Sequence, residues 1–195
     1  MPSIIATRGA HQVQARYSSL SISLHWGMLA LLVAVYACME LREFYPKGSD
    51  LREGFKSWHF MLGLSVLMLV FVRVAARLLR PAPAITPLQP DWQCWLARAV
   101  HLLLYVFMIG MPIAGWIILS ASGKTIPFFG LSLPPLVGEN KALAGQVKEL
   151  HETVASVGYY LVGLHAAAAL FHHYFVKDDT LRRMLPGRRS GSLPK

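Results

Sequence analysis

The sequence predicts an all-α membrane protein, a four-transmembrane-helix bundle with both termini cytoplasmic. Three observations predict it. The 195 residues are 54% hydrophobic and only 15% charged, against about 25% charged in an ordinary soluble domain. The charges are also segregated: residues 17–39, 57–72, 99–123 and 153–176 contain no Asp, Glu, Lys or Arg. Runs of this length suit helices that cross a bilayer, and lipid offers backbone polar groups no outside partner, so the spans are helices rather than strands. The third observation is the placement of cations. With both termini inside, the inner segments hold 12 of the 19 Lys and Arg and the outer loops hold seven, the asymmetry of the positive-inside rule. Of the acids, only Asp91, Asp178 and Asp179 fall inside.

These observations also exclude. The net charge of +9 follows the membrane topology, so it does not signal a nucleic-acid partner. Four spans use most of the chain and leave no room for a separate soluble domain. Cys38 and Cys94 fall near opposite surfaces without CxxC spacing, so no disulfide is expected. The organisation is a flexible cytoplasmic tail at 1–18, a transmembrane domain at 19–178 and a basic cytoplasmic tail at 179–195.

The first helix runs from Ser19 or Ser21 to Leu41. His25 lies near its inner start, beside Trp26 at interface depth. Alone, His25 reads equally as a ligand or as an interfacial hydrogen-bonding residue. Residues 42–56 form a charged outer loop with Pro46 and Gly48 as turn signals. The second helix starts near Lys56 and extends past Arg73 to about Leu79 if its arginines snorkel. His59 sits one turn inside, and Gly63 follows on the same face, leaving space for a planar group. Arg73 is 14 residues beyond His59; it reads either as a partner for an acidic group of a deep ligand or as a snorkelling arginine.

Residues 81–92 carry four prolines and form an extended inner linker. The third helix spans about Trp95 to Ser120. His101 near its inner end is shallower than His165, and a structural or acid-contacting role suits it better than a ligand role. Pro112, with Gly110 and Gly115, predicts a kink. Residues 121–148 make the longest outer loop, with an apolar stretch at 126–137 that caps the bundle or dips into the interface.

The fourth helix, in the stretch from Leu150 to Val176, is the one the others serve. It carries His151 and His165, 14 residues apart, which on a helix places two rings within ~40° of one face and roughly 21 Å apart along the axis. Gly158 lies midway and has no side chain to block a flat ligand. Ionisable residues inside a span are functional candidates by default. Depth pairs His59 with His151 near the outer surface and His25 with His165 near the inner one. Each pair would supply both axial ligands of one haem b, so the chain would hold two haem b groups serving electron transfer, because two strong imidazoles leave iron no open position. Each second ring nitrogen needs an acceptor, and Ser21, one turn before His25, is a candidate. Histidines at two depths cannot form one tetrahedral zinc site. Covalent haem would need CxxCH, which is absent. A histidine proton-relay transporter does not explain the two depth-matched pairs.

The motifs Ser21-Ile22-Ser23-Leu24-His25-Trp26, Lys56-Ser57-Trp58-His59, Leu150-His151-Glu152-Thr153 and Gly163-Leu164-His165-Ala166, with His172-His173-Tyr174-Phe175 before Lys177-Asp178, resemble the bacterial cytochrome b561 family over about residues 17–189. The resemblance implies a dihaem bundle in the bacterial inner membrane with ligands His25, His59, His151 and His165, the last four reached independently above. It further implies electron transfer with ubiquinone, and, by likeness to superoxide-oxidising members, reduction by periplasmic superoxide with no obligatory partner protein. Lys56 and Lys148 are the cations nearest the outer ligands. The alternative within the same family is an anchor subunit passing electrons between a partner dehydrogenase or hydrogenase and quinone.

Overall fold

The computed structural model describes residues 16–79, 85 and 89–187. The linker prolines Pro81, Pro83 and Pro87 and most of the expected N-terminal tail lie outside these residues. Four helices are long and apolar enough to cross a membrane: α1 (Ser19–Leu41), α2 (Asp50–Leu79), α3 (Asp91–Ala121) and α4 (Lys141–Phe171). A two-stranded antiparallel hairpin, β1 (Ile126–Phe128) and β2 (Leu131–Leu133), lies between α3 and α4.

Each helix starts where its sequence supplies a cap. Ser18 accepts from the Ser21 amide at the head of α1, and Asn140 accepts from the Leu143 amide at the head of α4, each satisfying one of the orphan donors of a first turn. Ser49 does the same for Arg52 in α2, whose first turn carries Asp50 and Glu53, on the favourable side of the helix dipole. This explains why α2 starts at Asp50 rather than near Lys56, and α4 at Lys141 rather than Leu150. Both helices project beyond the hydrocarbon, where charged residues are welcome, so the charge-free runs marked only their membrane portions. Thirty residues of α2 span roughly 45 Å, well over the ~30 Å hydrocarbon core. The expected outer loop at 42–56 shortens accordingly. Arg52 pins what remains, donating to the carbonyls of Arg42 and Tyr45 and to the Glu43 carboxylate.

The outer stretch expected as a cap is the hairpin. Phe129 (φ 46°) and Gly130 (φ 85°) both take left-handed backbone at its turn, as a two-residue hairpin loop requires. The Phe129 amide points at Met61 Sδ, and Ile126 joins Leu64 and Leu119 in a small core over the ends of α2 and α3. The expected kink residue Pro112 lies inside α3, which runs as one helix.

α1 packs on α2, α2 on α3 and α3 on α4. The main core is Met28, Val66, Val70, Phe107 and Met108. Large side chains such as Phe71, Leu102, Val106 and Tyr160 are exposed, as expected where lipid, not water, is the neighbour. Cys38 and Cys94 are both free thiols.

α4 widens into a π turn at His172–Val176 and stops at Lys177, whose φ is 59°. The chain then folds back. Residues 179–187, expected as the start of a basic tail, are docked: Trp26 donates to the Met184 carbonyl at 2.7 Å and Arg16 to that of Leu185 at 2.7 Å. Arg183 is buried beneath Tyr17. Both ends of the described chain therefore sit at one end of the bundle, the terminal end, opposite the hairpin end.

Candidate functional site

α4 presents its two histidines at two levels, and each meets a histidine from another helix. At the hairpin end the rings of His59 and His151 stand 6.3 Å apart, centre to centre. At the terminal end those of His25 and His165 stand 6.2 Å apart. A metal held in line between two imidazoles needs ~2.0–2.1 Å per metal–nitrogen bond and about 1.1 Å from each nitrogen to its ring centre, roughly 6.3 Å in all. Both pairs have that width. Two imidazoles per level leave the remaining coordination positions to the bound group, and among the described residues no cluster of three or more His, Cys, Asp or Glu stands ready to hold a bare ion.

The hydrogen bonds are consistent with an outside partner. His59 Nδ1 lies 3.1 Å from the Val35 carbonyl; donating there, it keeps Nε2 as a free lone pair, the tautomer a ligand needs. Nδ1 of His25 and Nδ1 of His151, the second ring nitrogens, are buried with no hydrogen-bond partner among the described residues, so the acceptor that His59 finds in Val35 has no counterpart at these two rings. Space for a planar group exists beside the upper pair. A Cβ on Gly63 would meet nothing within 4 Å, and one on Gly115 would meet only His151 Cε1 at 3.7 Å. Gly158 differs from its expected use: Tyr36 and Phe107 fill the place where its side chain would be.

At the terminal end, Arg73 and Arg77 line a cavity with Tyr17, Ser21, Leu24, Tyr105 and Met184. Arg73 is also within electrostatic reach of His25, His101 and His165. Two guanidinium groups with hydroxyls beside them suit a carboxylate-bearing ligand such as a haem with its propionates. Ser21, considered as a partner for His25, instead bonds Ser18 and faces this cavity. His101 stands 5.3 Å from His165 and bonds the Ala97 carbonyl through Nδ1 at 2.6 Å; that ring spacing is too short for a metal held in line between the two rings. His172 lies away from both levels and bonds Asp178 at 2.6 Å.

At the hairpin end, the expected cations are partnered. Lys56 pairs with Glu53 and Lys148 with Glu152 at 3.6 Å. Arg42 is within electrostatic reach of His59. Sequence reasoning missed the contribution of Tyr17, Tyr105 and the returning segment at Met184. An aromatic at a helix end carries no signal of what it lines, and the return of 179–187 is a tertiary contact with no periodic signature.

A family model described as prokaryotic cytochrome b561 matches residues 16–187. Cytochrome b561 homolog 1 of Escherichia coli K12 is 39% identical over 174 residues, covering 89% of this chain and 99% of that protein. A probable superoxide oxidase, CybB, of Yersinia pestis is 37% identical over 89% of this chain and 98% of that one. Cytochrome b561 homolog 2 of E. coli K12 is 32% identical over 87% of this chain and 91% of its own length.

Proposed function

The chain belongs to the prokaryotic cytochrome b561 family, multi-pass haem b proteins of the bacterial inner membrane that carry electrons, and from that premise we propose that it is a dihaem superoxide:ubiquinone oxidoreductase. The observation that carries this reading is the matched width of the two imidazole pairs, 6.3 Å and 6.2 Å, at two heights on one helix. His59 and His151 would hold one haem b at the hairpin end, and His25 and His165 a second at the terminal end. Bound there, low-spin haem b would supply reversible one-electron storage with no open iron position.

The chain's own residues do the rest. The four histidines orient the groups, with the Val35 carbonyl fixing the His59 tautomer. Gly63 leaves the face beside His59 clear. Arg73, with Arg77 beside it, balances the carboxylates of the terminal-end group. The terminal end is cytoplasmic by the distribution of Lys and Arg, which puts His59 and His151 near the periplasm. Superoxide arrives there, gives up one electron and leaves as dioxygen; two such electrons and two protons convert one ubiquinone to its quinol. Lys56 and Lys148 are paired with carboxylates, whereas Arg42 and Arg52 share the single Glu43 carboxylate and leave that cluster with a surplus positive charge. Attraction of the superoxide anion is local rather than a broad field.

Stopped-flow mixing of the oxidised protein with superoxide tests the reading. Rapid appearance of reduced haem b bands, with reoxidation by ubiquinone, supports it. A second reading is favoured by the exposed apolar hairpin residues Phe129 and Leu131: an anchor subunit that docks a partner dehydrogenase or hydrogenase there. A protein inert to superoxide that co-purifies with such a partner would select it.

A further inference from the structure

Between the two histidine levels, the bundle is closed by a contact that neither level uses. α1 lies on α2 and α4 on α3, while α1 and α4 have almost no close backbone contact of their own. They face each other across an apolar cleft lined by Leu29, Leu32, Val33 and Val162. Tyr36 of α1 crosses it. Its hydroxyl donates to the Ala155 carbonyl of α4 at 2.7 Å, and its ring meets that of Tyr159, 4.2 Å centre to centre. Beside that landing is Gly158, which is buried. A Cβ there would overlap the Tyr36 hydroxyl and the Phe107 ring of α3, closer than side-chain carbons ever approach. Gly158 is seven residues from His151 and seven from His165, the midpoint of the ligand stripe.

We propose that the Tyr36–Gly158 contact is a strut that fixes the separation of α1 from α4, and with it the width of the His25–His165 pair; this rests on the dihaem reading above. Metal ligation tolerates errors of only about 0.5 Å; the neighbouring α1–α4 hydrogen bond, from the Tyr159 hydroxyl to Glu40 Oε1 at 2.7 Å, is exposed and lies nearer the hairpin end of α1. A packed interface does not yield smoothly to added volume, so a side chain at 158 would displace Tyr36, Phe107 or α1 itself. The effect is directional. α1 contributes one ligand, His25, to the terminal-end pair. The hairpin-end pair joins α2 to α4, and α1 reaches it only through the Val35 carbonyl that His59 Nδ1 meets at 3.1 Å. Gly158 and Tyr36 are thus positioning residues chiefly for the terminal-end haem.

The test uses the full-length protein with Gly158→Ala, Gly158→Leu and Tyr36→Phe. The two haems are told apart by repeating each variant in a His151→Ala background, which keeps the terminal-end site, and in a His25→Ala background, which keeps the other. Readouts are haem per chain, the ferric low-spin EPR signal, haem loss to apomyoglobin, and the α1–α4 distance in haem-free protein. That distance is measured between nitroxides at Val33→Cys and Tyr160→Cys, both on exposed positions, with Cys38 and Cys94 replaced by Ser. Gly158→Ala should shift the terminal-end EPR signal and speed loss of that haem at least about tenfold. Tyr36→Phe keeps the ring and loses one hydrogen bond, so haem loss should quicken about fivefold. Gly158→Leu should abolish terminal-end haem and broaden the distance distribution. The hairpin-end haem, which meets α1 only through the Val35 carbonyl behind His59, should be lost more slowly than the terminal-end haem in every variant. An unaltered distance in Gly158→Ala and Gly158→Leu, or equal loss of both haems, overturns the strut. If Gly158→Leu does not accumulate, the two milder variants decide. A wild-type protein without haem would sink the dihaem reading, whereas the haem-free distance would still judge the strut.

Discussion

The rings of His101 and His165 stand 5.3 Å apart, centre to centre, closer than either pair that meets across the two levels. Proximity alone would nominate His101 as the iron's partner. Width argues against it, because a metal held in line between two imidazoles needs roughly 6.3 Å. His101 is also held by its own helix through the Ala97 carbonyl. His101→Ala should therefore keep about two haems per chain by pyridine haemochrome, and His25→Ala about one. The reverse result would transfer the ligand role from His25 to His101.

The pairing makes a second prediction. On the proposed pairing His59 and His151 serve one site, so His59→Ala, His151→Ala and the double variant should each leave one haem per chain, with no further loss in the double. The remaining haem should keep a low-spin spectrum, since His25 and His165 are untouched. Independent sites for His59 and His151 would show as additive loss, which haemochrome and EPR read directly.

Much of this was legible in the sequence. Charge-free runs mark where lipid must be met, so the four spans and the depths of His25, His59, His151 and His165 follow from counting. Helix starts were less legible at Asp50 and Lys141, because a helix that leaves the membrane changes its composition without changing its conformation. Gly158 was read as clearance for a flat ligand; it is clearance for Tyr36 and Phe107. A glycine announces a close approach and does not say of what. The docking of residues 179–187 was hidden for a different reason. Its composition is that of a solvated tail, and only the contacts of Trp26, Arg16 and Tyr17 with it convert it into structure.

That docked segment should be acid-sensitive through Asp178. Burial pushes the Asp178 carboxyl up, but bonds from His172 and Thr180 together outweigh it and hold the carboxyl below its ordinary range. Gln89 adds a further hydrogen bond at 2.7 Å. A carboxyl depressed in the folded state contributes stability that is full above its unfolded value, ~3.9, and is lost as pH falls through the lower folded value. The segment should stay docked at neutral pH and release only below about pH 4. Asp178→Asn should release it already at neutral pH. Hydrogen exchange at 178–187, or the emission of Trp26 as its bond to Met184 opens, follows the transition. A neutral-pH exchange pattern unchanged in Asp178→Asn would show that Trp26, Arg16 and Arg183 suffice to hold the segment.

Arg73 gives the last prediction. It is partly buried in the terminal-end cavity, whereas Arg77 on the same helix is exposed. A cation near a haem favours the reduced form, which carries one positive charge less, and burial protects that effect from the screening that weakens exposed charges. Arg73→Leu should lower the midpoint potential of the terminal-end haem and leave that of the hairpin-end haem in place. Arg77→Leu should move the same potential less. Arg73→Lys should recover part of the shift, because it restores the charge but not the two-pronged hydrogen bonding of a guanidinium to a carboxylate. A spectroelectrochemical titration of each variant in the His151→Ala background isolates the relevant haem. Equal shifts for Arg73→Leu and Arg77→Leu would mean that bulk charge, rather than a contact with the bound group, sets the potential.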